Sequence, residues 1–236
     1  MQNKVQILST KKISDSLIKN AAQKNICIDE INFIETKENI PAEIKNRISE
    51  LSEQNILAIF TSSNAVKVVG KIVSPETNWK IYCIEPATKK TVETIFPNSS
   101  IAATAKDAAE LSEKIVKENS VKQIVFFCGN QRRDLLPSQL KNNGIEVEEL
   151  VVYQTIGTPQ IISKKYDGIL FFSPSAVRSF FAKNKLEATT QIFSVGKTTA
   201  DEINFFSNNP IMISEIPASE NLIAEVIKHF SSIKTV

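Results

Sequence analysis

Ile145-Glu146-Val147-Glu148-Glu149-Leu150-Val151-Val152-Tyr153-Gln154-Thr155 repeats the pattern of an earlier stretch, Ile26-Cys27-Ile28-Asp29-Glu30-Ile31-Asn32-Phe33-Ile34-Glu35-Thr36. The two lie 119 residues apart, and Asp15 and Asp134 share that spacing. Phe60-Thr61-Ser62-Ser63-Asn64-Ala65-Val66 returns 112 residues later as Phe172-Ser173-Pro174-Ser175-Ala176-Val177. Ile84-Glu85-Pro86-Ala87-Thr88 returns after 111 as Val195-Gly196-Lys197-Thr198-Thr199, and Leu111 and Leu222 are separated by the same 111. Self-similarity at a nearly fixed spacing reads as two copies of one unit. Within that repeat, Tyr153 stands where the other copy has Ile34. A core position that turns from aliphatic to phenolic in one copy only is a candidate for chemistry.

Outward from these stretches, short apolar runs alternate with longer amphipathic ones. Strands are predicted at Val5–Leu8, Ile26–Ile34, Ile56–Thr61, Lys80–Ile84, Ile101–Ala102, Gln123–Cys128, Glu146–Gln154, Gly168–Phe172, Gln191–Val195 and Ile211–Ile213. Helices are predicted at Ile13–Lys24, Pro41–Glu53, Asn64–Ile72, Pro86–Phe96, Ala105–Glu118, Arg132–Asn142, Ser175–Asn184, Lys197–Phe205 and Ser219–Ser231. Alternating strands and helices give an α/β fold with parallel sheets covered on both faces. Five strands per half suggest two flavodoxin-like domains. Ser62 or Ser63, and Ser173 or Ser175, offer helix N-caps, while Asn25 and Asn143-Gly144 suit helix ends. A chain whose tail completes its first sheet would place 1–36 with 156–236 and leave 37–155 continuous. Two linkers, near Glu35–Ile40 and near Gln154–Gln160, would then cross between the domains. A cleft between two such domains would be a natural ligand site and hinge.

The bulk properties exclude several classes of function. Hydrophobic residues make up 42% and charged residues 23% of the 236, ordinary for a globular protein. A net charge of +2, with lysines scattered and no aromatic–basic interleaving, argues against nucleic acid. Cys27, Cys83 and Cys128 lie far apart in or beside apolar runs and read as buried free thiols in a reducing compartment. The single histidine, His229, reads as a cation near a helix C-terminus, so no metal is expected. Neither a signal peptide nor a membrane span is expected, and the chain reads as cytoplasmic.

In parallel sheets ligands sit beyond the carboxyl ends of the strands, which singles out four loops. Thr61-Ser62-Ser63 and Ser173-Pro174-Ser175 offer hydroxyls and helix-starting amides for a carboxylate; plain capping explains them equally well. Gly196-Lys197-Thr198-Thr199 allows close backbone approach and adds two hydroxyls. Gly129-Asn130-Gln131-Arg132-Arg133 offers bidentate carboxylate binding, or a solvated helix start. No G-x-G-x-x-G or Walker A sequence is present, so nucleotide phosphates are not indicated. With one remote histidine, acid–base work falls to a carboxylate, lysine or tyrosine.

Taken in order, Phe60–Val66, Gly129 through Arg133-Asp134-Leu135-Leu136 to Gly144, Val152-Tyr153-Gln154-Thr155, Phe172–Val177, Ser194–Ala200 and Ala218-Ser219-Glu220-Asn221-Leu222 resemble uroporphyrinogen-III synthase. The resemblance implies two flavodoxin-like domains joined by a two-stranded linker. It implies a cofactor-independent lyase of tetrapyrrole (haem) biosynthesis, acting as a monomer. The substrate would be the linear tetrapyrrole hydroxymethylbilane, closed to uroporphyrinogen III with loss of water and inversion of ring D. Transient contact with the enzyme that makes this substrate is compatible with it. The motif carries the family's active-site tyrosine to Tyr153, which spacing alone would read as a packing residue. It also carries substrate contacts to Thr61, Ser62, Ser63, Thr88, Gly129, Arg133, Ser173, Ser175, Gly196, Lys197, Thr198 and Thr199. The family usually has a glycine where this chain has Glu85-Pro86; either Glu85 turns away or that loop binds less tightly. A non-enzymatic two-domain protein binding a small anion is the competing reading, and Tyr153 is the residue such a binder would not need. A pair of response-regulator-like receivers is disfavoured, because no acidic pair follows the first strand of either copy.

Overall fold

The computed structural model describes residues 4–38, 40–118 and 120–232. The chain runs β1 (Val5–Ser9), α1 (Asp15–Gln23), β2 (Ile26–Glu30), β3 (Ile34–Lys37), α2 (Ala42–Ser52), β4 (Leu57–Phe60), α3 (Ser63–Val69), β5 (Lys80–Ile84), α4 (Ala87–Ile95), β6 (Ser100–Ala105), α5 (Ala108–Lys117), β7 (Gln123–Gly129), α6 (Leu135–Asn142), β8 (Glu146–Gly157), β9 (Gly168–Phe171), α7 (Pro174–Phe181), β10 (Gln191–Ser194), α8 (Lys197–Ile203), β11 (Ile211–Ile213) and α9 (Ser219–Ser232). It divides into two compact units: the chain up to Glu35 with that from Ile156 onward, and Thr36–Thr155.

The first unit has one five-stranded sheet, β2-β1-β9-β10-β11, with every adjacent pair parallel. The second has the order β3-β8-β7-β4-β5-β6, parallel from β8 to β6. Matching β7, β8, β4, β5 and β6 to β1, β2, β9, β10 and β11 superposes the two orders strand for strand. The second sheet is therefore a circular permutation of the first. The first order is flavodoxin-like; the second is the same spatial arrangement entered at a different strand, so that counted along the chain from β4 it reads 3-2-1-4-5.

One element departs from the sequence reading. Ile26–Ile34 is not a single strand, because the ladder with β1 ends at Glu30. The amides of Ile31 and Phe33 then turn to the carbonyls of Ser9 and Thr10 at the end of β1. Phe33 is fully buried, with its ring edge-on to Phe180 at 5.2 Å. After this buried anchor the chain resumes as β3, which lies beside β8 and makes the second sheet six-stranded.

Helix boundaries follow local chemistry. Ser62 and Ser173 are the N-caps of α3 and α7, and their hydroxyls accept from the amides of Asn64 and Ala176 at 3.2 Å each. Asn25 and Gly144 reverse the chain after α1 and α6 with φ of 64° and 76°. That left-handed region costs glycine nothing and asparagine little.

Each sheet is buried on both faces, which is why β7 and β9 read as unbroken apolar runs. One face of the second sheet packs Phe60, Phe127 and Trp79 in a stack, with centroids 5.1 Å apart for Phe60–Phe127 and 5.4 Å for Trp79–Phe127. The Trp79 indole N–H donates to the Leu51 carbonyl at 3.2 Å, so the buried ring leaves no orphan donor. The opposite face holds Phe126, Leu136 and Leu140. His229 packs edge-on against Phe193 and Phe230. No helix among the described residues is long and apolar enough to cross a membrane.

Cys83 and Cys128 are buried, and desolvation pushes their thiols up to about 11 and about 12; Cys27 is only half-buried. Since the thiolate is the reactive form, the two buried thiols should be inert in the folded protein. Titration with an aromatic disulfide reagent at neutral pH is expected to detect at most one fast thiol, that of Cys27. All three should react in denaturant. Rapid modification of two or three native thiols would contradict this packing.

Candidate active site at the carboxyl ends of the strands

In each unit two neighbouring parallel strands send their following helices to opposite faces of the sheet, which opens a crevice beyond their carboxyl ends. In the second unit these strands are β4 and β7. α3 covers the face that holds Phe60 and Trp79, whereas α6 covers the face that holds Phe126. In the first unit the corresponding strands are β9 and β1.

Tyr153 reaches this position in the second unit through a break in register. Along β7 and β8 the pairing steps evenly to Cys128–Val151, then jumps to Gly129–Tyr153. Val152 is the extra residue. Such a bulge re-aims the side chain that follows it. Val152 and Tyr153 consequently both join the apolar cluster on the α3 face, although consecutive strand residues normally point to opposite faces. The half-buried phenol donates to the Ser62 hydroxyl at 3.1 Å. That hydroxyl already accepts from the Asn64 amide, so one serine ties the phenol to the first turn of α3.

Gly129 makes this arrangement possible. A Cβ at that position would lie 2.5 Å from Cζ of Tyr153 and 2.8 Å from its hydroxyl oxygen. The ring rests on bare backbone. The first copy has Thr10 and Ile34 at the equivalent positions, so glycine and phenol arrive as a matched pair. Asn130 fixes the strand on either side of the ring. Its backbone amide donates to the Tyr153 carbonyl at 3.1 Å, and its side-chain oxygen accepts from the Thr155 amide at 2.8 Å. Gln131 adds a bond to the Thr155 carbonyl at 3.0 Å. Sequence reasoning took Gly129 as a ligand contact; its structural part is to seat the tyrosine.

Of the two arginines in this loop, only one is committed to the protein. Arg132 binds Glu149, which also holds Lys141 at 2.7 Å, and this pairing raises the guanidinium above its ordinary value. Arg133 is exposed and lines a pocket of about 290 Å³ together with Thr61. Ser63 is the first residue of α3 and half-buried. Thr88, in the first turn of α4, is 6% exposed. Ahead of it, Glu85 turns to the neighbouring strand, where its carboxylate accepts from the Thr104 hydroxyl at 2.9 Å.

The first unit presents the matching edge. Ser173 caps α7, with Ser175 half-buried in its first turn. Gly196 has extended backbone and caps α8, whose first residues Lys197 and Thr198 are exposed while Thr199 is 4% exposed. Thr88 and Thr199 are thus equivalent in the repeat and equally buried, whereas Lys197 and Thr198 face solvent. One group here escaped the sequence reading. Lys11, in the loop after β1, lies over the Phe172 ring with Nζ 4.3 Å from the centroid. Burial pushes its ammonium below the ordinary value, and Glu220 opposes that shift. The available signal was a cation in the loop at the switch between β1 and β9.

Known proteins share this chain's family pattern and fold. A family model described as uroporphyrinogen-III synthase HemD matches residues 15–224. Among solved structures, a mutant uroporphyrinogen III synthase from the extremely thermophilic bacterium Thermus thermophilus superposes with a TM-score of 0.70 at 14% identity, covering 98% of this chain and 100% of that one. Uroporphyrinogen-III synthetase from Helicobacter pylori 26695 superposes with a TM-score of 0.66 at 17% identity, covering 95% of this chain and 99% of that one.

The seat on Gly129 can be tested structurally. Gly129→Ala is expected to drive the Tyr153 ring off the strand end and break its bond to Ser62, at a stability cost of about 1–3 kcal/mol from overpacking. A crystal structure of the variant with the ring unmoved would show that the close approach is not a constraint.

Proposed function

The chain belongs to the uroporphyrinogen-III synthase family, and from that premise we propose how its own residues carry the reaction. The activity is closure of hydroxymethylbilane to uroporphyrinogen III, with loss of water and inversion of ring D. Tyr153 is the general acid. Hydroxide is a poor leaving group, so the terminal C–O bond breaks only as its oxygen takes a proton. A phenol is mostly protonated at neutral pH and can donate one.

The observation that carries this reading is the phenol held on Gly129 and hydrogen-bonded to Ser62. In the proposed step the phenol transfers its donor bond from Ser62 to the departing hydroxyl. The proton passes to that oxygen, the C–O electrons leave with it as water, and the bilane becomes an azafulvene cation. The substituted carbon of ring D attacks the cation to give a spiro intermediate. Fragmentation and reclosure in the inverted sense follow, and the proton lost at the end can return to the phenolate. Each step moves only protons and electron pairs within substrate and tyrosine, so no metal or organic cofactor is required.

Substrate carboxylates are held, in this proposal, by Thr61, Ser62, Ser63 and Arg133 on the second unit. On the first unit Ser173, Ser175, Gly196, Lys197 and Thr198 serve, with Lys11 added. Thr88 and Thr199 contribute less, because most of each side chain is buried. The bilane closes to the type I isomer unaided, so early capture from the enzyme that makes it would favour the correct product. Free cysteines suit a reducing, cytoplasmic setting.

Tyr153→Phe keeps the ring on Gly129 and removes the proton. It is expected to lower kcat by about 10²–10⁴-fold, the usual worth of a general acid, with little change in KM. The assay supplies hydroxymethylbilane, oxidises the products and separates type I from type III isomers. Turnover at the unaltered rate would remove the tyrosine from the chemistry.

A further inference from the structure

The pocket that Arg133 shares with Thr61 has a feature that the loop motifs do not contain. Its floor is apolar, formed by Ile84, Phe126 and Leu136, and its lining also carries Lys106 and the acidic residue Asp107. Lys106 follows β6 directly and precedes Asp107, the N-cap of α5. Both cations are exposed, and neither side chain has a hydrogen bond or an ion pair among the described residues. The acidic groups nearby have partners of their own, although Glu110 also accepts from the Lys106 amide at 3.2 Å and feels the Lys106 charge. Asp107 accepts from the Glu110 amide at 2.9 Å, and Glu110 pairs with Lys114 at 2.9 Å. Asp134 lies 3.4 Å from Arg132, and Glu149 binds Arg132 and Lys141.

We infer that this pocket holds one pyrrole ring of the linear tetrapyrrole and that Lys106 and Arg133 read its two carboxylate side chains. The inference rests on the bilane reading above and extends it to a residue outside the loop motifs. At about 290 Å³ the pocket lies near the lower end of small-molecule sites and is too small for four rings. A flat apolar ring suits the floor of Ile84, Phe126 and Leu136. An acetate and a propionate on neighbouring ring carbons leave in different directions, which calls for two separate cations. Arg133 can take one carboxylate through two parallel N–H bonds, and Lys106 binds the other as a point charge. The pair therefore sets specificity for a ring carrying both acids, and it positions the substrate without touching the reacting carbon.

The test uses the full chain, with hydroxymethylbilane and an analogue bilane in which methyl groups replace the acetates. Lys106→Gln and Arg133→Gln are each expected to raise KM for hydroxymethylbilane at least about tenfold, as loss of a charge-assisted contact to one carboxylate implies, with a smaller change in kcat. The conservative Arg133→Lys should recover part of the loss. The unaltered chain should favour the acetate-bearing substrate, and the double variant should lose most of that preference. Both side chains are exposed, so melting temperatures should not move. Unchanged KM in both single variants, or full discrimination kept in the double variant, would overturn the pocket assignment while type III product continues to form. Formation of type I isomer alone by the unaltered chain would overturn the family reading and this inference with it.

Discussion

The contact between the Tyr153 ring and the backbone of Gly129 is where the site depends most directly on the fold. A parallel ladder with unbroken register would send residue 153 to the face opposite Val152. The jump from Cys128–Val151 to Gly129–Tyr153 prevents this and directs the phenol toward the start of α3. There it meets Ser62, whose place is set by capping. Three requirements therefore converge on one spot: a bulge, a missing Cβ and a helix N-cap. Asn130 and Gln131 hold the strand just beyond the ring, so the phenol is fixed by backbone on one side and by a cap on the other. Positioning on strands and helix starts gives the precision that the proposed acid catalysis needs.

Much of this was legible in the sequence. The alternation of runs gave nearly every element, and the four paired stretches exposed the duplication. Legibility was poorest where tertiary contacts override local pattern. Ile31-Asn32-Phe33 looks like strand by composition, yet the ladder ends at Glu30 and Phe33 packs its ring edge-on against Phe180. Gly129 was visible as a residue of interest, but its purpose was not, since a close approach to Tyr153 across strands leaves no trace in spacing. Lys11 and Lys106 were hidden for a simpler reason. A lysine beside a strand end has the composition of any solvated loop, and only packing on Phe172 or placement over an apolar floor tells it apart. Burial of Thr88 and Thr199 was likewise beyond sequence, because a threonine at a helix start is equally suited to capping, core or ligand.

The permuted relation between the two sheets explains why one copy alone carries the phenol. In the first unit the strand equivalent to β8 is β2, and the equivalent of Tyr153 falls after that strand has already ended. Ile34 instead begins β3, a strand that adds to the other sheet beside β8. The same repeated sequence is thus used as continuous strand in one copy and as departing chain in the other. Only the copy that continues its ladder past the switch point can aim a side chain back across it. The asymmetry between the two copies follows from how the chain leaves each sheet.

Electrostatics sets a further limit on how the site can work. Substrate and product carry the same acetates and propionates, so any group that binds only these binds both. Such uniform binding lowers KM without speeding the chemical step, and in excess it would retain product. The chain has a net charge of +2, and in the second unit it commits Arg132 and Lys141 to Glu149. Few cations among the described residues are left uncommitted at that edge, and in the proposed binding mode hydroxyls and amides do the remaining holding. What distinguishes the substrate from the product is the terminal hydroxyl, which is present before closure and absent after it. A proton donor aimed at that oxygen interacts more strongly as negative charge develops there and has no partner once water has left. In the proposed reaction, rate acceleration therefore concentrates at Tyr153, while the groups proposed to bind carboxylates fix where the bilane lies.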